Sequence, residues 1–283
     1  MREALVFLGP ALAMCLVIAS IHVYLGMHVL AREIIFVDLS LAQLAALGAT
    51  VASLFVGEAA EGAEPSWKVH AAAFAFTAAG AAIFAFTRRA RKHVSLEAIV
   101  GIVYAVASAV TVLVVSHSPH GAEHIKDILV GSLLLTTWKQ VAKTAAAYVV
   151  LGAIQIALAK RFVRISWDPD HADSTIKNVE LWDLLFYLLF GVVITISVQV
   201  AGILLVFSFL IVPAVVTRLF SQSIGRRLVA GWLVAIVASF LGLWASWAWD
   251  LPTGAAVVGA FGFILTLAGL ARAFGLGRLA PPG

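Results

Sequence analysis

Two places in this chain carry side chains able to ligate a metal ion. The denser is the stretch Ser116-His117-Ser118-Pro119-His120-Gly121-Ala122-Glu123-His124-Ile125-Lys126-Asp127. Imidazoles and carboxylates at these spacings suit zinc or a similar divalent ion. The string from His120 to His124 also spells H-x-x-E-H, a metalloprotease pattern. That chemistry needs a long helix, a third distant ligand and a substrate cleft, whereas Pro119 and Gly121 interrupt this segment. The protease reading falls, leaving either a transient metal-handling loop or an ordinary solvated one. The second place is the run Ile34-Ile35-Phe36-Val37-Asp38-Leu39-Ser40-Leu41-Ala42-Gln43, where Asp38 and Gln43 enter an otherwise apolar segment. A five-residue offset turns them about 140° apart on a helix, so they form no tight ligand pair. Asp38 reads either as a group on a translocation path or as a charge placed at a helix start, where a carboxylate suits the dipole. Gln43 reads as a path-lining amide or as a bond to a neighbouring helix. His22, His28, Glu97, Gln199 and Asp250 complete the polar set within or beside apolar runs, where a polar group facing hydrocarbon is costly.

Other chemistries are excluded by what the chain lacks. It has no G-x-x-x-x-G-K-[ST] phosphate loop, so it hydrolyses no ATP by that route and any pumping needs a motor from another subunit. Neither H-E-x-x-H nor G-x-S-x-G occurs, which removes the common hydrolases. Cys15 stands alone inside the first apolar run and reads as a small buried residue, neither half of a disulfide nor part of a cysteine metal cluster. The net charge of +4 sits in basic residues at the ends of apolar runs, where cytoplasmic retention explains it better than nucleic-acid binding.

The elements that must hold these groups are membrane spans. A mean hydropathy of +1.03, with 62% hydrophobic and 12% charged residues, is incompatible with a fully water-facing surface. Apolar runs long enough to cross the hydrocarbon fall near 4–30, 34–55, 69–87, 96–115, 141–159, 184–199, 202–220, 228–249 and 255–271. The pair between Leu184 and Phe220 is divided only by Gln199 to Gly202, so the expectation is eight or nine spans. A shorter apolar piece, Ile128 to Leu135, reads as a half-helix entering from one side. The chain is thus expected to be an all-α polytopic membrane protein with one membrane domain over 1–275 and a short cytoplasmic tail at 276–283. Basic clusters at Arg88 to Lys92, Lys160 to Arg164 and Arg218 to Arg227 lie on one side of a nine-span arrangement, which sets that side and the C-terminus in the cytoplasm. Trp67, Trp138, Trp182, Trp247 and Trp249 fall near the proposed interfaces. Small residues such as Ala71 to Ala73 and Ala78 to Ala82 favour close helix packing. The polar stretch from Arg164 to Asp183 is long enough for a short helix that docks on another subunit, or for a plain linker.

Several segments together resemble the membrane-spanning permeases of the metal-ion ABC importers, the zinc, manganese and iron uptake family. They are Arg32 to Asp38 leading into Ala42 to Gly48; Leu96 to Ile102; Asp127 to Leu134; Val200 to Val206 with Leu210 to Ala214; and Asp250 to Gly254. The resemblance implies a type II ABC importer permease fold in a bacterial cytoplasmic (inner) membrane. It implies a homodimer with a second permease copy, an ATP-binding subunit docked between Arg164 and Asp183, and an extracytoplasmic solute-binding protein. The divalent ion is then cargo, ATP is used by the partner subunit, and the chain itself holds no cofactor. Family members commonly place an aspartate and a histidine four residues apart on the second span. Here Gln43 stands at the histidine position and Leu39 at the aspartate position, with Asp38 one residue earlier. Asp38 and Gln43 on the second span, with His117, His120 and His124 of the polar stretch read from their spacing, are the candidate metal contacts. Rival readings are a permease for a metal chelate such as a siderophore or vitamin B12, and a membrane scaffold that transports nothing.

Overall fold

The structure, a computed structural model, describes residues 2–56, 66–87, 94–116, 131 and 133–275, with side chains described from residue 8 onward. Among the described residues ten α-helices follow one another: α1 Arg2–Ala31, α2 Val37–Val56, α3 Trp67–Phe86, α4 Leu96–Val115, α5 Trp138–Trp167, α6 Pro169–Thr175, α7 Val179–Ala201, α8 Ile203–Phe220, α9 Ile224–Trp249 and α10 Thr253–Ala273. A 3-10 turn, Leu133–Leu135, precedes α5. Among the described residues nine helices are long and apolar enough to cross a membrane. The chain is an all-helical, multi-span membrane protein.

The ambiguous region between Leu184 and Phe220 contains two helices. Gly202 separates them with a φ of 77°, a left-handed conformation that costs little without a Cβ. A side chain at Gly131, whose φ is 69°, would collide with the backbone of Ala201 and Gly202, so two glycines make this junction possible. Several helices outrun their apolar runs. The fifth starts at Trp138 and ends at Trp167, because a helix that has left the hydrocarbon still satisfies its own backbone hydrogen bonds. Of the expected half-helix from Ile128, Gly131 and the 3-10 turn at Leu133–Leu135 lie within the described residues.

The chain divides into two compact units. One comprises Met1–Leu30, Val130–Gly152 and Val200–Gly283. Within it α10 packs on α8 and α9, with Phe209 edge-on to Phe261 at 5.0 Å between ring centres. Gly242 lets α9 approach the backbone of Val257, and the Trp232 indole donates to the carbonyl of Ser20 at 3.2 Å. Asp250 caps α9 in the left-handed conformation, and Ser246 donates to the Leu251 carbonyl at 2.8 Å, closing the corner before α10. This accounts for Asp250 as a structural residue. Cys15 is completely buried here.

The other unit comprises Ala31–Leu129 and Ala153–Gln199. Here α2 packs against both α3 and α4. Gly48 faces the backbone of Ala72 at a separation no side chain would permit, and Gly80 faces Leu44, the close approach that small residues allow in lipid. Thr77 on α3 meets Thr195 on α7 at 3.2 Å between hydroxyl oxygens. The short helix α6 starts with Pro169 behind Asp168, whose carboxylate accepts the His171 N–H at 3.3 Å. Buried Ala172 seats it on Ile165 of α5 and Val179 of α7.

Candidate functional site

The candidate site is built on α2, the most enclosed of the described spans, about two thirds of which is buried. A helix covered on nearly every side is central to its bundle, so polar side chains on it face protein rather than lipid. Asp38, in its first turn, is 1% exposed, Ser40 is fully buried and Gln43 is 8% exposed. Asp38 Oδ1 and Ser40 Oγ make no hydrogen bond with the described residues. An unfilled buried acceptor costs about 1–3 kcal/mol or more when charged, so such a group persists where something else supplies its partner. Further along α2 the Thr50 hydroxyl satisfies itself on the Ala46 carbonyl at 2.8 Å, the ordinary way a helix hides a hydroxyl. Asp38 and Ser40 do not have that arrangement.

The position of Asp38 is fixed by the segment preceding α2. Glu33 adopts a φ of 58°, which an L side chain takes up only under constraint from outside. Two anchors supply it. The Arg32 guanidinium donates through Nε to Ser166 Oγ at 2.8 Å and through Nη1 to Asp183 Oδ1 at 2.7 Å. Its flat face lies 4.1 Å from the centre of the Phe186 ring and 5.5 Å from that of Tyr187. The second anchor is Glu97, in the first turn of α4, whose Oε2 accepts the backbone N–H of Ile35 at 3.1 Å. Arg32 and Asp183 side chains are 3% and 1% exposed, so this is a buried ion pair. It ties the approach to α2 to the last turn of α5 and the first turns of α7, the two helices that flank α6. Arginine suits the task, because one planar fork can bind two acceptors and stack on rings together.

The remaining polar residues resolve into separate roles. Within the first unit His22 donates from Nδ1 to the Ile18 carbonyl at 2.8 Å, and His28 lies edge-on to Tyr24 at 4.6 Å between ring centres. Gln199, at the exposed end of α7, bonds His70 Nδ1 at 3.2 Å. Asp38 and Gln43 sit five residues apart on α2 and do not converge, as their offset requires. Among the described residues no group of three or more histidine, cysteine, aspartate or glutamate side chains is arranged to hold a metal. His117, His120 and His124 lie outside the described residues. The residues that sequence reasoning missed are Ser166, Asp183 and Gln155. Gln155 is 1% exposed in the middle of α5, and neither of its amide atoms is hydrogen-bonded among the described residues. Its signal was present, as a lone amide in an apolar span, in the same class as Gln43.

Known proteins give this arrangement a context. The description of the ABC 3 transport family matches residues 4–272. The manganese transport system membrane protein MntC of Listeria monocytogenes is 24% identical over 168 residues, 59% of this chain and 60% of that protein. The chelated iron transport system membrane protein YfeD of Yersinia pestis is 28% identical over 138 residues, 48% of this chain and 46% of that protein. The chain thus spans roughly half the length of the curated relatives it matches. PsaBC from Streptococcus pneumoniae, solved in complex with Fab, has the same fold, with a TM-score of 0.74 at 18% identity over 93% of this chain and 90% of that one. With a family match that runs from the first span to the last, the chain belongs to the ABC 3 transport family.

Proposed function

We propose that this chain is the membrane-spanning permease subunit of an ATP-binding cassette importer for divalent metal ions, working in a bacterial cytoplasmic membrane as one of two permease copies. Family membership supports the transport role, and the manganese and iron relatives support a metal as cargo. The observation that carries a path through this chain is the carboxylate of Asp38, buried on the most enclosed span with one oxygen unfilled.

A permease gains nothing from holding its cargo tightly, because release must follow entry. A single carboxylate oxygen with a nearby amide oxygen is a weak, hard donor set. An ion would be handed from Asp38 to Gln43, about 7.5 Å along the helix axis, without being trapped in a closed coordination shell. The driving force comes from an ATP-binding subunit docked on α6, and cargo comes from an extracytoplasmic solute-binding protein. The Arg32 anchor gives docking a mechanical route. A displacement of α6 moves the ends of α5 and α7, and the ion pair and Ser166 bond carry that displacement into the segment that positions Asp38.

The test is uptake into proteoliposomes that contain the chain together with its cognate ATP-binding subunit and binding protein. Radioactive manganese, zinc and iron are supplied as free ions and, for iron, as a chelate. ATP-dependent uptake of a free ion, reduced at least tenfold in Asp38→Asn at unchanged protein yield, is the expected result. Uptake of the chelate alone would replace this reading with a chelate permease, and no uptake of any form would remove it.

A further inference from the structure

A cavity of about 380 Å³ opens beside α6, lined by Lys160, Arg161 and Arg164 of α5, by Thr175 at the end of α6 and Lys177 beyond it, and by Trp182 of α7. Its volume is within the range of small-ligand clefts, about 300–1,000 Å³. Four cationic side chains line it and no carboxylate does. Asp168, Asp170, Asp173 and Glu180 are close in sequence, yet none reaches the lining. The lining itself therefore gathers positive charge without an acidic side chain among it. The Arg161 guanidinium is stacked 4.2 Å from the centre of the Trp182 ring, which holds its fork in one orientation. Four like charges converging on one concavity repel one another unless an anion joins them.

Depth in the membrane indicates which anion. The fifth helix has 30 residues and is about 45 Å long, while the hydrocarbon takes about 20 residues. Its apolar run ends at Ala159, so Lys160, Arg161 and Arg164 emerge at the level of the phosphates. The apolar run of α7 begins at Leu184, two residues beyond Trp182, which sets the indole at the same interfacial level. Basic pockets between spans on the cytoplasmic side suit acidic headgroups.

We propose that this cavity binds the phosphate of an acidic phospholipid headgroup, with Lys160, Arg161, Arg164 and Lys177 as the phosphate ligands and Trp182 as the interfacial wall. The site is distinct from the metal path and serves whatever the cargo is. Because Thr175 ends α6 and Lys177 follows it by two residues, a bound headgroup braces that short helix against α5 and α7.

The full-length chain, purified in mild detergent and stripped of lipid, is titrated with short-chain phosphatidylglycerol, phosphatidylcholine, inorganic phosphate and polyglutamate, with bound species read by native mass spectrometry. Phosphatidylglycerol is expected to be retained in preference to the other three. Neutralising two cations in Lys160→Gln/Lys177→Gln should weaken retention about 30-fold, while Lys160→Arg/Lys177→Arg retains it. Inorganic phosphate bound as tightly as the lipid would assign the site to a soluble phosphate, and a preference for polyglutamate would assign it to an acidic protein segment. Equal retention of phosphatidylglycerol by the glutamine variant overturns the assignment of the cavity. Should that variant fail to fold, quenching of Trp182 emission by a headgroup-labelled phosphatidylglycerol, measured against Trp182→Phe, decides the matter. No difference between the two proteins would likewise refute it.

Discussion

Removing the Asp183 carboxylate tests the anchor that positions α2. In Asp183→Ala the Arg32 guanidinium keeps its bond to Ser166 and its ring contacts but loses its counter-charge at 2.7 Å. At an effective dielectric constant of about 20, two unit charges at that distance attract by roughly 6 kcal/mol. Much of that gain is offset by the several kcal/mol each ion loses on leaving water, so the pair as a whole contributes little. Removal of one partner is different, because the desolvation of Arg32 remains uncompensated, and the expected loss is about 3–5 kcal/mol. The measurement is chemical unfolding in detergent micelles for the wild type, Asp183→Ala, Arg32→Met, Asp183→Leu and the double variant Arg32→Met/Asp183→Leu. Each single substitution should destabilise strongly and the double variant should cost no more than either single one, giving a coupling of at least about 3 kcal/mol. Transport should behave otherwise: the apolar pair leaves no unpaired charge but lacks the directional link, so ATP hydrolysis continues in the double variant while uptake per ATP falls. A loss below about 1 kcal/mol in Asp183→Ala, the level of a surface pair, would refute the argument from burial.

Other substitutions probe neighbouring steps. Glu97→Ala leaves the Ile35 N–H without its acceptor and should lower stability by about 1–3 kcal/mol, with Glu97→Gln recovering most of it; the same unfolding assay checks both. Gly202→Ala forces a side chain into the left-handed junction between α7 and α8 and should cost about 1–2 kcal/mol, read as a lowered unfolding midpoint. Thr77→Val removes the hydroxyl pair with Thr195 and should cost about 1 kcal/mol. If the outer stretch handles cargo, replacing His117, His120 and His124 together by alanine raises the half-saturating metal concentration for uptake and leaves the maximal rate unchanged; an unchanged half-saturation point would show those imidazoles to be solvated bystanders.

Span positions were legible because hydrocarbon imposes a length and a composition that no other solvent does. Each of the nine apolar runs became a helix, including the doubtful pair, where Gly202 supplied a break that hydropathy could only suggest. Helix ends were less legible, since Trp138 to Gln140 and Lys160 to Trp167 carry polar residues and yet continue α5. Asp38 and Gln43 could be picked out because an aspartate or amide inside an apolar run is expensive. Their supports could not. Arg32 looked like one more basic residue at a span end, and Asp183 lies 151 residues away, a separation across which no local periodicity speaks. The short helix α6 was an even choice between helix and linker until Asp168 and Pro169 proved to be its cap and first turn.

The burial of Cys15 has a practical side. It is the sole thiol in the chain and is wholly enclosed within α1's packed surroundings. Membrane-permeant maleimides should therefore leave the native polypeptide unlabelled, making it a ready-made silent background. A cysteine introduced at exposed Leu54, Leu181 or Trp249 would report its own surroundings alone, and pairs of such probes would follow each unit through a transport cycle without prior removal of a native thiol.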